Sequence, residues 1–147
     1  MKRIGNIFDY FASKDNIWLA LANARKGKSH YNEVKAIERN PQAYVDHLHT
    51  MLAEGRFKNS PYVAFEKKSG DKIRQIKKVP YYPDRIVHHC IVQTMQKTWI
   101  RSLIRDTFST IPGRGIHDGV RRIKEAMKDV KGTQYALKLD VKKYFPS

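Results

Sequence analysis

The chain has 147 residues, with 41% hydrophobic content and 29 Lys+Arg against 14 Asp+Glu, a formal net charge of +15. That length gives one core-forming domain, and that apolar content excludes a disordered tail. The charge excess selects a polyanionic partner, with nucleic acid ahead of an anionic membrane surface.

No run of apolar residues approaches the roughly 18 needed for a membrane span. The basic start Met1-Lys2-Arg3 is not followed by a signal-peptide core. The single cysteine, Cys90, has no internal disulfide partner, and a reducing cytoplasm is the expected location.

In chain order, residues 7–26 carry helical spacing, with a break at Ser13. Arg25-Lys26 and Gly27 suit the C-terminal end of that helix. A shorter helix is expected within His30–Arg39. Asn40-Pro41 is a start signal, an acceptor side chain followed by proline at the first helical position. Tyr44, Leu48, Met51 and Leu52 then form one stripe, ended by Gly55.

At Tyr62 the period changes. Tyr62–Phe65 and Lys72–Val79 read as strands around the turn Ser69-Gly70-Asp71. Ile73 and Gln75 point one way, and Lys72, Arg74 and Ile76 the other. From Lys67 to Lys78 the hairpin carries Lys67, Lys68, Lys72, Arg74, Lys77 and Lys78 against Asp71 alone. Charged edges block sheet aggregation, but this density exceeds that need and points to phosphate contact.

Pro83 opens a long helix to about Ile104, with Ile86, Cys90, Ile91, Met95, Trp99, Leu103 and Ile104 as its stripe and Val87 and Ile100 widening it. Two-sided burial is therefore expected. Tyr81-Tyr82 at its entry could stack on bases, although core packing is the commoner use of tyrosine. After the loop Thr107–Gly115, the residues Ile116, Val120, Ile123 and Met127 predict a helix to about Lys131, capped by Gly132. Tyr135–Asp140 predicts a final strand that delivers Asp140 to its edge. A carboxylate there could hold a hard cation such as Mg²⁺, or simply be a solvated strand end. His47, His49, His88 and His89 diverge on their helices and predict no zinc site. The expected class is α+β.

Four stretches in this order resemble a bacterial reverse transcriptase of the group II intron, retron, diversity-generating or prophage and defence type. They are the basic hairpin Lys67–Arg74; Val79-Pro80-Tyr81-Tyr82-Pro83-Asp84-Arg85-Ile86-Val87; Pro112-Gly113-Arg114-Gly115-Ile116-His117-Asp118-Gly119; and Leu139-Asp140-Val141 with Tyr144-Phe145-Pro146-Ser147. The last is similar to polymerase motif A.

The resemblance implies mostly helical fingers over residues 1–132 and the first strand of a right-hand palm over 133–147. Within the fingers, 1–60 would be the helical N-terminal part, 61–79 the hairpin, and 80–132 the long helix and loop. It implies Asp140 as catalytic residue and metal ligand, with the Val141 backbone carbonyl as a further ligand to Mg²⁺ or Mn²⁺. Lys67, Lys72 and Arg74 would bind the dNTP, and Phe145 would be the steric gate against a ribose 2′-OH. Lys68, Arg85 and Arg114 would contact nucleic acid.

Template RNA and the RNA/DNA hybrid are the implied partners, with no membrane. Ile111 departs from the pattern, because many relatives carry arginine there. The aromatic-x-Asp-Asp motif that completes the metal site does not occur in the sequence. A catalytically incomplete stretch of an RNA-directed DNA polymerase is therefore expected, able to self-associate through its unpaired palm strand. Two other readings stay open: a non-catalytic nucleic-acid-binding module, and a domain whose site a partner chain completes.

Overall fold

A computed structural model describes residues 4–141. The architecture is α+β, with helices and one two-stranded antiparallel hairpin. It divides into two compact units, residues 1–99 and 100–147.

The first unit begins with α1 (Phe8–Ala12) and α2 (Lys14–Ala24). Ser13 separates them in an extended conformation. Its hydroxyl donates to the Tyr10 carbonyl at 2.8 Å and accepts from the Asn16 N–H at 3.2 Å, so one side chain closes one helix and opens the next. After Gly27, at φ +69°, come α3 (Asn32–Arg39) and α4 (Pro41–Ala53). The Asn40 side chain caps α4 from the Ala43 N–H, as expected from Asn40-Pro41.

α2 buries Ile17, Ala20, Leu21 and Ala24 on one stripe, and its alanines let α4 approach with Val45, Leu48 and Leu52. Each such large side chain contributes roughly 1.5–3 kcal/mol on burial. Val45, absent from the expected stripe, is fully buried, while Tyr44 and Met51 only flank the core.

The hairpin pairs β1 (Val63–Ser69) with β2 (Lys72–Lys78) through the loop Gly70-Asp71. Gly70 lies at φ +61° and Asp71 at negative φ, the pattern of a type II′ turn, whose twist matches the strands. The chain then passes through a wide turn at Tyr81–Arg85 into α5 (Ile86–Ser102).

Only the start of α5 is buried on more than one side: Ile86, Val87 and Cys90 are inaccessible, whereas Ile91 and Trp99 are exposed. The expected two-sided burial therefore holds for the first turns alone, where α2 covers them. A polar network binds that contact. Asn16, 1% exposed, donates to the carbonyls of Phe11 and Cys90, and its Oδ1 accepts from Gln93 Nε2 at 2.7 Å. Gln93 Oε1 in turn accepts from Asn23 at 3.0 Å.

Burial pushes the Cys90 thiol up to about 12. The thiolate is the reactive form, so Cys90 is inert in the folded chain. We expect iodoacetamide to label it at pH 8 only at the rate of unfolding; labelling at the rate of a free thiol would refute this.

In the second unit, α6 (Ile116–Ala126) follows a tight turn at Ile111–Arg114. The Arg114 N–H donates to the Ile111 carbonyl at 3.0 Å, and Gly113 sits at φ +73° after Pro112, which is type II turn chemistry. Gly119 is buried because Phe108 lies over it; a Cβ there would meet Phe108 Cγ at 3.2 Å.

α6 ends at Ala126 rather than near Lys131. Asp129 accepts the Gly132 N–H at 3.0 Å, and its carbonyl takes Thr133, a local bonding pattern that replaces further helix. Gly132 is thus a turn residue and not the helix cap.

The expected strand Tyr135–Asp140 is corrected as well. Those residues are irregular, and Tyr135, Leu137 and Leu139 are 94%, 85% and 82% exposed. Among the described residues β1 and β2 pair only with each other, so this segment has no neighbour to complete a ladder.

Candidate nucleic-acid interface

In an antiparallel hairpin, directly opposed residues project from the same face. The register sets Phe65 opposite Ile76, Lys67 opposite Arg74, and Ser69 opposite Lys72. One face therefore carries Lys67, Lys72, Arg74 and, toward its base, Lys78. Lys68 opposes Ile73 on the other face, where Glu66 accepts from Gln75 at 2.7 Å. The three residues nominated for a triphosphate are thus gathered on one surface, and Lys68 is separated from them.

Among the described residues none of Lys67, Lys72, Arg74 and Lys78 forms an ion pair. Lys67 and Arg74 are like charges directly opposite, an arrangement that destabilises the hairpin. An anion bound across the pair would reverse the sign of that interaction.

Two cavities adjoin the base of this face. One, of about 240 Å³, is walled by Lys28, Tyr31, Phe65, Ile76, Lys78 and Arg85, among others. The other, of about 270 Å³, is lined by Val79, Arg85, His88, His89 and Val92. Arg85 borders both, and its Nε is buried without a hydrogen-bond partner. His89 is held below its ordinary value of 6.5, by burial first and then by Arg85, Lys28, His88 and Lys26. The sequence reading missed Lys28, which lies between α2 and α3 with no motif linking it to the hairpin.

Asp84, beside Arg85, is fully buried and accepts from the Ser60 N–H at 2.8 Å and the Ser60 hydroxyl at 2.7 Å. It clips the approach to β1 onto the entry of α5. Tyr81 and Tyr82 are used for packing, not presented for stacking: Tyr81 is 3% exposed, and the Tyr82 hydroxyl donates to the Tyr44 carbonyl and lies 2.7 Å from His47 Nδ1. Burial, with Tyr44 beside it, raises the Tyr82 phenol to about 12. A larger cavity of about 530 Å³, lined by Trp18, Leu21, Val34 and Ile37, is apolar and collects no cationic cluster.

The second unit holds Arg114, described by itself. Its Nη1 donates to the Ile104 carbonyl at 3.3 Å, so part of the guanidinium secures the loop. Arg105 and Arg121 pair with Asp118, and Arg122 with Asp106 at 3.0 Å.

Asp140 and Val141 lie on the irregular, exposed segment. Among the described residues no group of three or more His, Cys, Asp or Glu side chains gathers to hold a metal. One exposed carboxylate does not make a divalent-cation site by itself. Phe145 lies outside the described residues. Among the described residues no helix is long and apolar enough to cross a membrane. No model of a known protein family matches the chain, and a search of curated proteins finds no match.

Proposed function

We propose that this chain is the fingers region and first palm segment of an RNA-directed DNA polymerase, binding template RNA, the RNA/DNA hybrid and the incoming dNTP. The observation that carries the reading is the uncompensated cationic face of the hairpin, Lys67, Lys72 and Arg74, where a like-charged pair stands directly across the strands. Phosphate oxygens suit it: arginine supplies a bidentate fork and lysine a mobile point charge. Arg85 and Arg114, with Lys68 on the opposite face, would contact the polynucleotide.

Asp140 and the Val141 carbonyl would supply oxygen ligands to Mg²⁺ or Mn²⁺. Phosphoryl transfer needs further carboxylates beside them. Phe145 would discriminate the sugar. The proposed setting is the cytoplasm.

Calorimetry with dATP and with adenosine tests the reading. The triphosphate should bind at low salt and weaken steeply as salt rises, while the nucleoside should not bind. Equal binding of the two would overturn it. In a catalytically competent polypeptide containing this stretch, Asp140→Ala should abolish primer extension and spare RNA binding. A nucleic-acid-binding module without chemistry of its own uses the same cationic face and needs no carboxylate; persistent extension in that variant would remove Asp140 from the catalytic role.

A further inference from the structure

We infer that the cleft at the base of the hairpin is a separate anchoring site for single-stranded nucleic acid, taking one unstacked base and its flanking phosphates. This rests on the reading that the partner is a polynucleotide, and adds a place for it at the base of the hairpin face, apart from the triphosphate residues nearer the turn. Three observations converge.

The first is shape. Two adjoining cavities, of about 240 and 270 Å³, share Arg85 and Val79 as a common wall. The recess is concave, with room for one splayed base. A flat lipid surface would not enter it.

The second is lining. Tyr31 and Phe65 are 38% and 43% exposed, so each offers ring surface to the cleft. Aromatic platforms beside cations are the usual way to hold a single strand without reading its sequence.

The third is charge. Lys28 and Lys78 line the first cavity, and Arg85 borders both with a buried, unpartnered Nε. None of the three is in an ion pair with a described residue, although Glu33 lines the same cavity. His89, lining the second cavity, is held below its ordinary value by burial first, with Arg85 and Lys28 adding to the effect.

Local structure holds these groups in place. The Tyr31 N–H donates to the Lys28 carbonyl at 2.9 Å, so Lys28 and Tyr31 share one closed turn ahead of α3. The hairpin register carries Phe65, Ile76 and Lys78 on the face that bears Lys67, Lys72 and Arg74 nearer the turn. A strand seated in the cleft would therefore continue along the face toward the triphosphate.

The test uses the full chain and a fluorescein-labelled decauridylate followed by anisotropy at several salt concentrations. Lys28→Ala should weaken binding about fivefold to tenfold and lower the salt slope by about 0.7, one phosphate contact on a single strand. Tyr31→Ala should weaken it about tenfold without moving the slope, and Tyr31→Phe should restore it. Neither should change dATP affinity.

Wild-type affinity in both alanine variants would overturn the cleft and leave the hairpin reading standing. So would losses seen on phosphatidylserine vesicles but not on decauridylate, which would mean a lipid surface. Loss of dATP binding alongside decauridylate binding would also overturn it, because the two sites would then be one. No binding of decauridylate by the wild-type chain would end the proposal, while dATP binding in that chain would keep the triphosphate face.

Discussion

Replacing Lys67 and Arg74 together by alanine should lower dATP affinity about a hundredfold and stabilise the hairpin slightly. The two residues face each other across β1 and β2, exposed and in no ion pair with a described residue. A charge-assisted hydrogen bond contributes roughly 1.5–3 kcal/mol when desolvated, and solvent screening brings each toward the lower end. Two such losses, near 1.4 kcal/mol each, make about two orders of magnitude.

The stability change has the opposite sign. Removing like charges from a directly opposed pair relieves a few tenths of a kcal/mol. A residue kept for folding would lose stability on truncation, and one kept for an anion would lose affinity instead. Calorimetry with dATP and urea unfolding on the same variant separate the two. Unchanged affinity, or a clear loss of stability, would remove these residues from the triphosphate role. Lys68→Ala, on the opposite face, is the matched control and should change dATP affinity less than threefold.

The second large effect falls on folding. Asp84→Ala should destabilise the chain by about 3 kcal/mol, because a buried carboxylate that accepts two hydrogen bonds is replaced by a cavity beside orphaned Ser60 donors. For a chain of this size the melting temperature should fall by about 10 °C. Ser60→Ala should cost less, about 1–2 kcal/mol, because the Ser60 N–H still reaches Asp84. The two losses should not add, since the residues share one interaction. A double variant measured by urea unfolding that showed full additivity, or a loss under 1 kcal/mol for Asp84→Ala, would show that the clip is dispensable.

Much of the fold was legible where local chemistry decides it. Ser13 breaks one helix and starts another with its own hydroxyl; Asn40-Pro41 starts α4; Gly27 takes the left-handed region in the turn beyond α2, which ends earlier, at Ala24. Gly70 alone accounts for the hairpin turn, and the period of two then assigns Lys67, Lys72 and Arg74 to one face. What the sequence hid depends on partners distant in the chain. Apolar spacing continues along α5 past Ile91, yet burial stops there because coverage comes from α2. Tyr135–Asp140 alternates like a strand, but alternation specifies a face and supplies no neighbour. Lys28 joins the cleft only once the hairpin is set against the α2–α3 turn, which no local pattern encodes.

The Asn16 network has a consequence during synthesis. Its bond to the Cys90 carbonyl spans 74 residues of sequence. At about 5–20 residues per second, a ribosome needs roughly 4–15 s to make the second partner after the first. In the later half of that interval α1–α4 have been made and α5 has not, so Ile17 and the Asn16 amide lack their cover from α5. The nascent chain therefore presents an apolar seam with a hydrated amide at its centre: a wrong apolar cover would strip that water without replacement, whereas α5 brings the Cys90 carbonyl and Gln93 as partners.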